Sequence, residues 1–319
     1  MTIELNMLMP NGQGGPICGL PTPRAAASTP RPDDPRTIEE KLADLRRAIA
    51  SYESVVVAFS AGADSTLVAK VAADVLGERA LAVTSASESL AERELQEALA
   101  YAESLGINHR VIYTDELSNP DYLANPTNRC YHCKTELYDH LVALAQEEGY
   151  ATVANGLNVD DLGDYRPGLQ AAKEHDVRAP LQEAGLTKPD VRAISKLLDV
   201  PTWDKPAMAC LSSRVPYGEA ITPEKLRQID RAEQVLKDLG YRQLRVRHHG
   251  QVARIELPNE LLVAFVTEHA AVATERLKAL GFQYVTLDLQ GFRSGSMNEV
   301  LTRSQKSGAR SQEPGVRSQ

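Results

Sequence analysis

The stretch Val55-Val56-Val57-Ala58-Phe59-Ser60-Ala61-Gly62-Ala63-Asp64-Ser65-Thr66 restricts the choice of fold more than any other part of this chain. Three β-branched residues followed by Ala58 and Phe59 read as a strand buried on both faces, the kind found inside a parallel sheet. The strand stops at Ser60. From Thr66 to Leu76 the apolar residues recur at helical spacing, so a gap lined by small residues separates strand from helix. The helix points its amino end into that gap. Free N–H groups there, the positive end of the helix dipole and the hydroxyls of Ser60 and Ser65 favour a bound anion the size of a phosphate.

Ser-x-Gly-x-Asp-Ser after a buried strand resembles the PP-loop, the pyrophosphate-binding signature of ATP pyrophosphatases that activate a substrate by adenylation. It is not a Walker A loop, because the Gly-Lys-Ser/Thr ending is missing. Ala61 stands where that family usually has glycine. The expectation is a negative φ at this position, which alanine adopts freely.

A chain of 319 residues, 43% of them apolar, has enough material for two compact units with a sizeable core. Its formal net charge of −8 argues against a long RNA or DNA partner, because affinity for phosphate backbones comes largely from lysine and arginine. No apolar run approaches the roughly 20 residues of a membrane helix, and the start has no basic segment followed by an apolar core. Neither anchoring nor secretion is indicated, and a cytoplasmic location is expected. Four cysteines do not make a disulfide scaffold at this length, and in a reducing compartment clustered thiols are metal ligands or reactive groups.

Residues 1–36, with prolines scattered among glycine, serine and threonine, read as a disordered leader in which Cys18 is a spare thiol. Thr37-Ile38-Glu39-Glu40 has a capping-box pattern and opens a helix. After the loop helix come a strand at residues 80–84, a helix over 91–105 ended by Gly106, a strand at 109–113 and another at 151–154. Alternation of strands and helices with short loops predicts a doubly wound α/β parallel sheet, whose ligands bind beyond the carboxyl ends of the strands. Ser60 to Ser65, the Ser87 loop and Gly156 then face one crevice. From Thr222 the pattern changes. Residues 236–250 can be laid on 277–291 without a gap, each a helix end, a glycine and a strand, which reads as a smaller α+β unit. The expected division is 37–215 and 216–301, with a disordered polar tail at 302–319.

Cys130-Tyr131-His132-Cys133-Lys134 puts two thiols close enough to share a metal centre, and Cys210 lies in a loop-like stretch further on. Three readings compete: a disulfide of the near pair, a zinc site completed by histidine, and an iron–sulfur cluster on three thiolates. Structural zinc normally takes four protein ligands, whereas a four-iron cluster on three cysteines leaves one iron open. Arg245 and Arg247 alternate on a strand and so share a face.

Several motifs together resemble the LarE family, the ATP-dependent sulfur transferases of nickel-pincer nucleotide cofactor synthesis. They are the loop at Ser60, Asp164-Tyr165-Arg166-Pro167-Gly168-Leu169, Ser212-Ser213-Arg214-Val215-Pro216, Arg245-Val246-Arg247, Ala253-Arg254-Ile255-Glu256-Leu257-Pro258 and Leu287-Asp288-Leu289-Gln290-Gly291. The likeness runs from Ile38 to Leu301. It implies that ATP adenylates a carboxylate of pyridinium-3,5-biscarboxylic acid mononucleotide and that sulfur then replaces AMP. One branch of the family sacrifices a cysteine at the position that is Ala209 here. This chain resembles the other branch, in which Cys130, Cys133 and Cys210 hold a [4Fe-4S] cluster. The resemblance further implies ATP and Mg²⁺ at Ser60, Gly62, Asp64, Ser65, Ser87 and Gly156, and catalytic parts for Cys210, Lys134 and Asp64. Ser213, Arg214, Arg245 and Arg247 would hold the substrate phosphate. Glu233 resembles an acidic residue near that site, with an exposed helix carboxylate as the alternative. His248 and His249 receive no role. The implied partners are the small nucleotide, sulfide or a sulfur-donor protein, and further copies of the chain. A tRNA thiolase and an ammonia-using amidating synthetase of the same superfamily are the rival enzymes, and a nucleotide-binding metal protein without catalysis is the rival from outside enzymes.

Overall fold

A computed structural model describes residues 34–163, 167–206, 209–293 and 295–300. Met1–Pro35 group as one unit and Arg36–Gln319 as a second, which holds every helix and strand among the described residues. The expected leader up to residue 33, Cys18 with it, the tail from 302 and the Asp164-Tyr165-Arg166 part of one motif lie outside the described residues.

Helix α1 (Ile38–Ala50) opens on Thr37, whose hydroxyl accepts from Glu40 N–H while the Glu40 carboxylate accepts from Thr37 N–H, the expected capping box. There follow β1 (Val55–Ala58), α2 (Ala63–Leu76), β2 (Ala80–Ala86), α3 (Glu92–Ser104), β3 (His109–Tyr113), the short α4 (Pro120–Leu123), α5 (Arg129–Glu148) and β4 (Thr152–Ala154). After them come α6 (Gly168–Glu174), α7 (Pro180–Glu183) and α8 (Lys188–Leu197). The four strands form one parallel sheet in the order β3-β2-β1-β4. Val55 and Val57 pack on one side with Leu45, Leu67, Val71 and Ile194, while Val56 packs on the other with Leu81, Tyr138, Leu141 and Ala171. Helices therefore cover both faces, and each valine, at most 1% exposed, contributes about 1.5–3 kcal/mol of burial. Strand β2 runs two residues beyond the expected end. Ser85 and Ala86 pair with Ile112 and Tyr113, and the Ser85 hydroxyl meets that of Thr114 at 2.5 Å, so the polar side chain does not end the strand.

The remaining elements are α9 (Pro223–Asp238), β5 (Arg245–His249), β6 (Val252–Glu256), α10 (Leu262–Ala264), α11 (Ala270–Ala279) and β7 (Tyr284–Leu287). They make a separate three-stranded sheet, antiparallel between β5 and β6 and parallel between β6 and β7. Gly240 and Gly281, at φ of 96° and 103°, turn α9 and α11 toward β5 and β7, which is the repeated helix–glycine–strand pattern. We propose a division near residue 216 between the two sheets, with an apolar cluster of Ala91, Tyr122, Leu211, Val215, Ile221 and Ile229 lying across it. Among the described residues no helix is long and apolar enough to cross a membrane.

Candidate active site

Beyond β1, Phe59 N–H donates to Val83 O at 2.8 Å and Thr84 Oγ1 donates to Phe59 O at 2.9 Å, so β2 guides the chain into the loop. Ser60 N–H then donates to Ser65 Oγ at 3.2 Å, and the two serine hydroxyls lie 3.1 Å apart. Gly62 precedes α2 in extended conformation and no side chain caps the helix, which leaves its first-turn N–H groups available to an anion. A Cβ on Gly62 would lie 3.5 Å from Ser60 Oγ, an ordinary contact, so the glycine widens the loop without being demanded by packing. Gly156 is different: a Cβ there would come within 2.7 Å of Ser65 N. It lets the end of β4 pass directly against the start of α2.

The expectation for Ala61 is corrected. Its φ is +53° and its side chain is fully buried, so this alanine occupies the left-handed region that costs a non-glycine residue about 1–2 kcal/mol. A glycine would adopt this angle without that cost.

Asp64, on the first turn of α2, accepts from Asn158 Nδ2 at 3.1 Å and pairs with the Lys188 ammonium. Lys188 was not legible as a site residue, although one signal existed. Thr187 and Asp190 form a capping box that fixes Lys188 at the first position of α8, where a cation runs against the helix dipole and needs an anion nearby. Lys205 was missed too. Its ammonium donates to Ala61 O at 3.0 Å and to Glu97 at 2.8 Å. Ser87, expected at the nucleotide, donates together with Ser89 to the buried Glu116 carboxylate, at 2.7 Å each.

The three cysteines come to one corner. Cys130, Cys133 and Lys134 lie in the first two turns of α5, with the cysteines at i and i+3 on one face. Arg129 donates to Asn125 Oδ1 at 2.6 Å and to Ser212 O at 3.0 Å, and the hydroxyls of Tyr122 and Ser212 meet at 2.6 Å. These contacts dock the turn holding Cys210 against the start of α5. Leu211 N–H donates to Ser89 O at 2.9 Å, which ties the same turn to the loop that follows β2. Burial pushes the Cys133 thiol up to about 12, the charges of Glu116, Cys210 and Cys130 add to the rise, and Lys134 opposes it. Burial also works against the Lys134 ammonium, but Tyr138 and the three thiols outweigh it and hold its pKa above the usual lysine value. Cys133 thus stands within electrostatic reach of Cys130 and of Cys210, and Lys134 of all three. Among the described residues no three His, Cys, Asp or Glu side chains already close around a metal position. The donor set still suits an iron–sulfur cluster: three sulfurs, one of them exposed at Cys130, with Arg129 and Lys134 to balance thiolate charge.

Ser213, Arg214, Arg245 and Arg247 also come together. Arg247 Nη1 donates to Ser213 O at 2.6 Å and Arg214 Nη1 to Ser213 Oγ at 2.9 Å. Both guanidinium forks are already engaged. Arg214 holds Glu233 at 2.8 and 3.1 Å, and Arg247 holds Glu256 at 3.0 Å through two nitrogens. All four side chains are at most 2% exposed, so Glu233 is a buried partner and not a solvent-facing helix carboxylate. Arg245 has no carboxylate within ion-pair distance among the described residues. It donates to Arg293 O at 3.1 Å and lies 4.4 Å from the Phe292 ring centre. Burial and then repulsion from Arg247 and Arg214 bring its pKa down to about 10. A cavity of about 10 Å³, room for one water, touches Arg245, Arg214, Ala209 and Phe292.

Residues 37–121 match the NAD synthase family, the stretch from α1 to the start of α4. Over 270 residues the chain is 42% identical to the pyridinium-3,5-bisthiocarboxylic acid mononucleotide synthase of Lactiplantibacillus plantarum, covering 84% of this chain and 98% of that protein. The chain belongs to the LarE family. It is 52% identical over 267 residues to an uncharacterised protein of Synechocystis, 83% of this chain and 100% of that one. An uncharacterised protein of Methanocaldococcus jannaschii is 27% identical over 242 residues, 76% of this chain and 92% of its own length. In this LarE chain the carbonyls of both Ala209 and Cys210 accept from the Arg214 guanidinium, so the ion pair with Glu233 also sets the backbone that carries Cys210.

Proposed function

We propose that this LarE chain is an ATP-dependent sulfur transferase that adenylates the carboxylates of pyridinium-3,5-biscarboxylic acid mononucleotide and converts them to thiocarboxylates. The observation that carries this reading is the near-full-length likeness to a synthase of the corresponding bisthiocarboxylate. The uncapped start of α2 beside Ser60 and Ser65 supports it, because that reaction needs a pyrophosphate-binding loop.

A carboxylate is a poor electrophile without a leaving group. Attack of its oxygen on the α-phosphorus of ATP expels pyrophosphate and leaves an acyl adenylate, from which sulfur then displaces AMP. In this reading the first turn of α2 and the Ser60 and Ser65 hydroxyls bind the leaving pyrophosphate. Asp64 would hold Mg²⁺, which would supply positive charge to offset that of the phosphates, and Lys188, paired with Asp64, places an ammonium beside the same position. Lys134 offsets negative charge that builds at the α-phosphate. Arg245, the one guanidinium of its group without a carboxylate fork, takes the phosphate of the substrate nucleotide. Cys130, Cys133 and Cys210 would hold a [4Fe-4S] cluster, which when bound supplies sulfide obtained from inorganic sulfide or a sulfur-donor protein. The chain would act in the cytoplasm. Further copies of it would cover Val263, Tyr284 and Leu289, which are 75%, 61% and 88% exposed.

The test is pyrophosphate release from ATP and Mg²⁺ with and without the biscarboxylate nucleotide, followed by mass analysis of the product. Nucleotide-dependent release and replacement of oxygen by sulfur are expected. Release that does not depend on the nucleotide, or a product carrying nitrogen in place of oxygen, refutes the assignment.

A further inference from the structure

Ala61 and Lys205 are far apart in sequence and meet at the phosphate loop. Ala61 is fully buried with φ of +53°, and its carbonyl oxygen lies 3.0 Å from the Lys205 ammonium. That ammonium is held from two further sides. Glu97 accepts from it at 2.8 Å, and the Tyr101 ring centre is 5.2 Å away, both on α3. The stem is anchored as well, since Lys205 N–H donates to Thr202 O at 3.0 Å in a turn whose Thr202 is fully buried. With 15% of its side chain exposed, Lys205 has little freedom to leave.

We propose that Lys205 is a positioning residue that locks Ala61 in the left-handed conformation and thereby aims the phosphate loop, a constraint that glycine at this position would not need. Glycine enters the left-handed region about as readily as the right-handed one, whereas alanine meets its own Cβ there. Without the bond from Lys205, the Ala61 backbone relaxes toward negative φ. The consequence is local but direct. In a trans peptide C=O and N–H point opposite ways, so fixing the Ala61 carbonyl on Lys205 fixes the direction of the Gly62 N–H. Gly62 is the residue from which α2 starts, and its amide is one of the donors a bound phosphate would meet. Lys205 also lies five residues before Cys210, so the clamp joins the loop to the segment that leads to that cysteine. The proposal rests on the reading that the loop binds ATP, and it adds a residue that acts through Ala61.

The test is a double-substitution cycle, read by calorimetric titration with ATP and Mg²⁺ in the absence of the carboxylate substrate. Lys205→Met keeps the stem against Tyr101 and removes the ammonium. It is expected to weaken ATP binding about tenfold, or about 1.4 kcal/mol, in the natural chain, and less than about threefold in an Ala61→Gly background. Glu97→Gln, which breaks the ion pair and leaves the bond to Ala61, is expected to weaken binding less than Lys205→Met. Equal losses in the two backgrounds overturn the proposal, because Lys205 would then act by some route other than Ala61. The same cycle read by urea unfolding separates this inference from the functional reading. If the natural chain does not bind ATP, the reading of the loop fails, and the clamp is decided by whether the midpoint loss on Lys205→Met shrinks in the Ala61→Gly background. If Lys205→Met does not fold, Lys205→Gln retains a donor and takes its place, with a smaller loss expected and the same comparison deciding.

Discussion

Adding one methyl group at Gly156 tests the proposed nucleotide site without removing any polar group. A Cβ there lies 2.7 Å from Ser65 N and 3.0 Å from both Asp64 C and Ser65 Cα, all backbone atoms that no rotamer can move. Ordinary contact begins at 3.4 Å, so the end of β4 and the start of α2 must separate by about 0.7 Å. Neither side yields easily. Asn155 N–H is bonded to Arg178 O at 2.9 Å, and Ala154 is paired with Val57 of β1. Overpacking of this kind costs about 1–3 kcal/mol, which a domain of ordinary stability survives, so Gly156→Ala folds with a lowered urea midpoint. The loss of function is larger than the loss of stability. The displaced atoms carry Ser65 and Asp64, and an error approaching 1 Å at such groups costs up to about 10²-fold in rate. Pyrophosphate release at saturating nucleotide and urea unfolding of the same preparation measure the two effects. A variant whose rate and midpoint both stay within twofold and within error of the natural chain would show that β4 does not press on the loop, and the geometry argued for the site would be wrong.

Glu233→Gln leaves the Arg214 guanidinium buried without its counter-charge, and a loss of about 3–5 kcal/mol in urea unfolding is expected; a loss under about 1 kcal/mol refutes the pairing. The natural chain purified without oxygen is expected to carry four-iron clusters and Cys210→Ala little iron or acid-labile sulfide, whereas equal iron in both proteins removes Cys210 from the proposed ligand set. His248 is 4% exposed and its pKa is held below 6.5 first by burial and then by Lys225 and His249, against the pull of Glu219. A histidine with a depressed folded pKa binds fewer protons than in the unfolded chain, so its contribution is complete above pH 6.5 and is lost as pH falls below it. The thermal midpoint should therefore drop between about pH 7.5 and pH 5.5, and the drop should shrink in His248→Gln; an unchanged drop assigns it to other groups, of which His109 and His249 are shifted in the same direction by burial.

The first sheet was legible because its signals are local. Val55 to Val57 announce a strand buried on both faces, the glycine after it announces the turn, and the periodicity from Thr66 announces the helix, all within one short stretch. The capping box at Thr37 and the helix–glycine–strand repeat are local in the same sense. The angle at Ala61 departs from the expectation because it follows from how β1 and α2 are joined, and no side-chain pattern records that. The arginines show the same limit for side chains. Alternation along β5 placed Arg245 and Arg247 on one face, as the register with Glu256 and Arg254 bears out. Whether a guanidinium on such a face is free depends on carboxylates that arrive from elsewhere. Glu233 reaches Arg214 from α9 and Glu256 reaches Arg247 from β6, and a buried cation without such a partner is too costly to keep unless something else neutralises it. Arg245 is the exception. It is 9% exposed, it has an aromatic face and a carbonyl in place of a carboxylate, and burial first and then repulsion from Arg247 and Arg214 lower its pKa. A phosphate monoester bound there would supply the counter-charge that Arg245 lacks among the described residues, which is the part proposed for the nucleotide substrate.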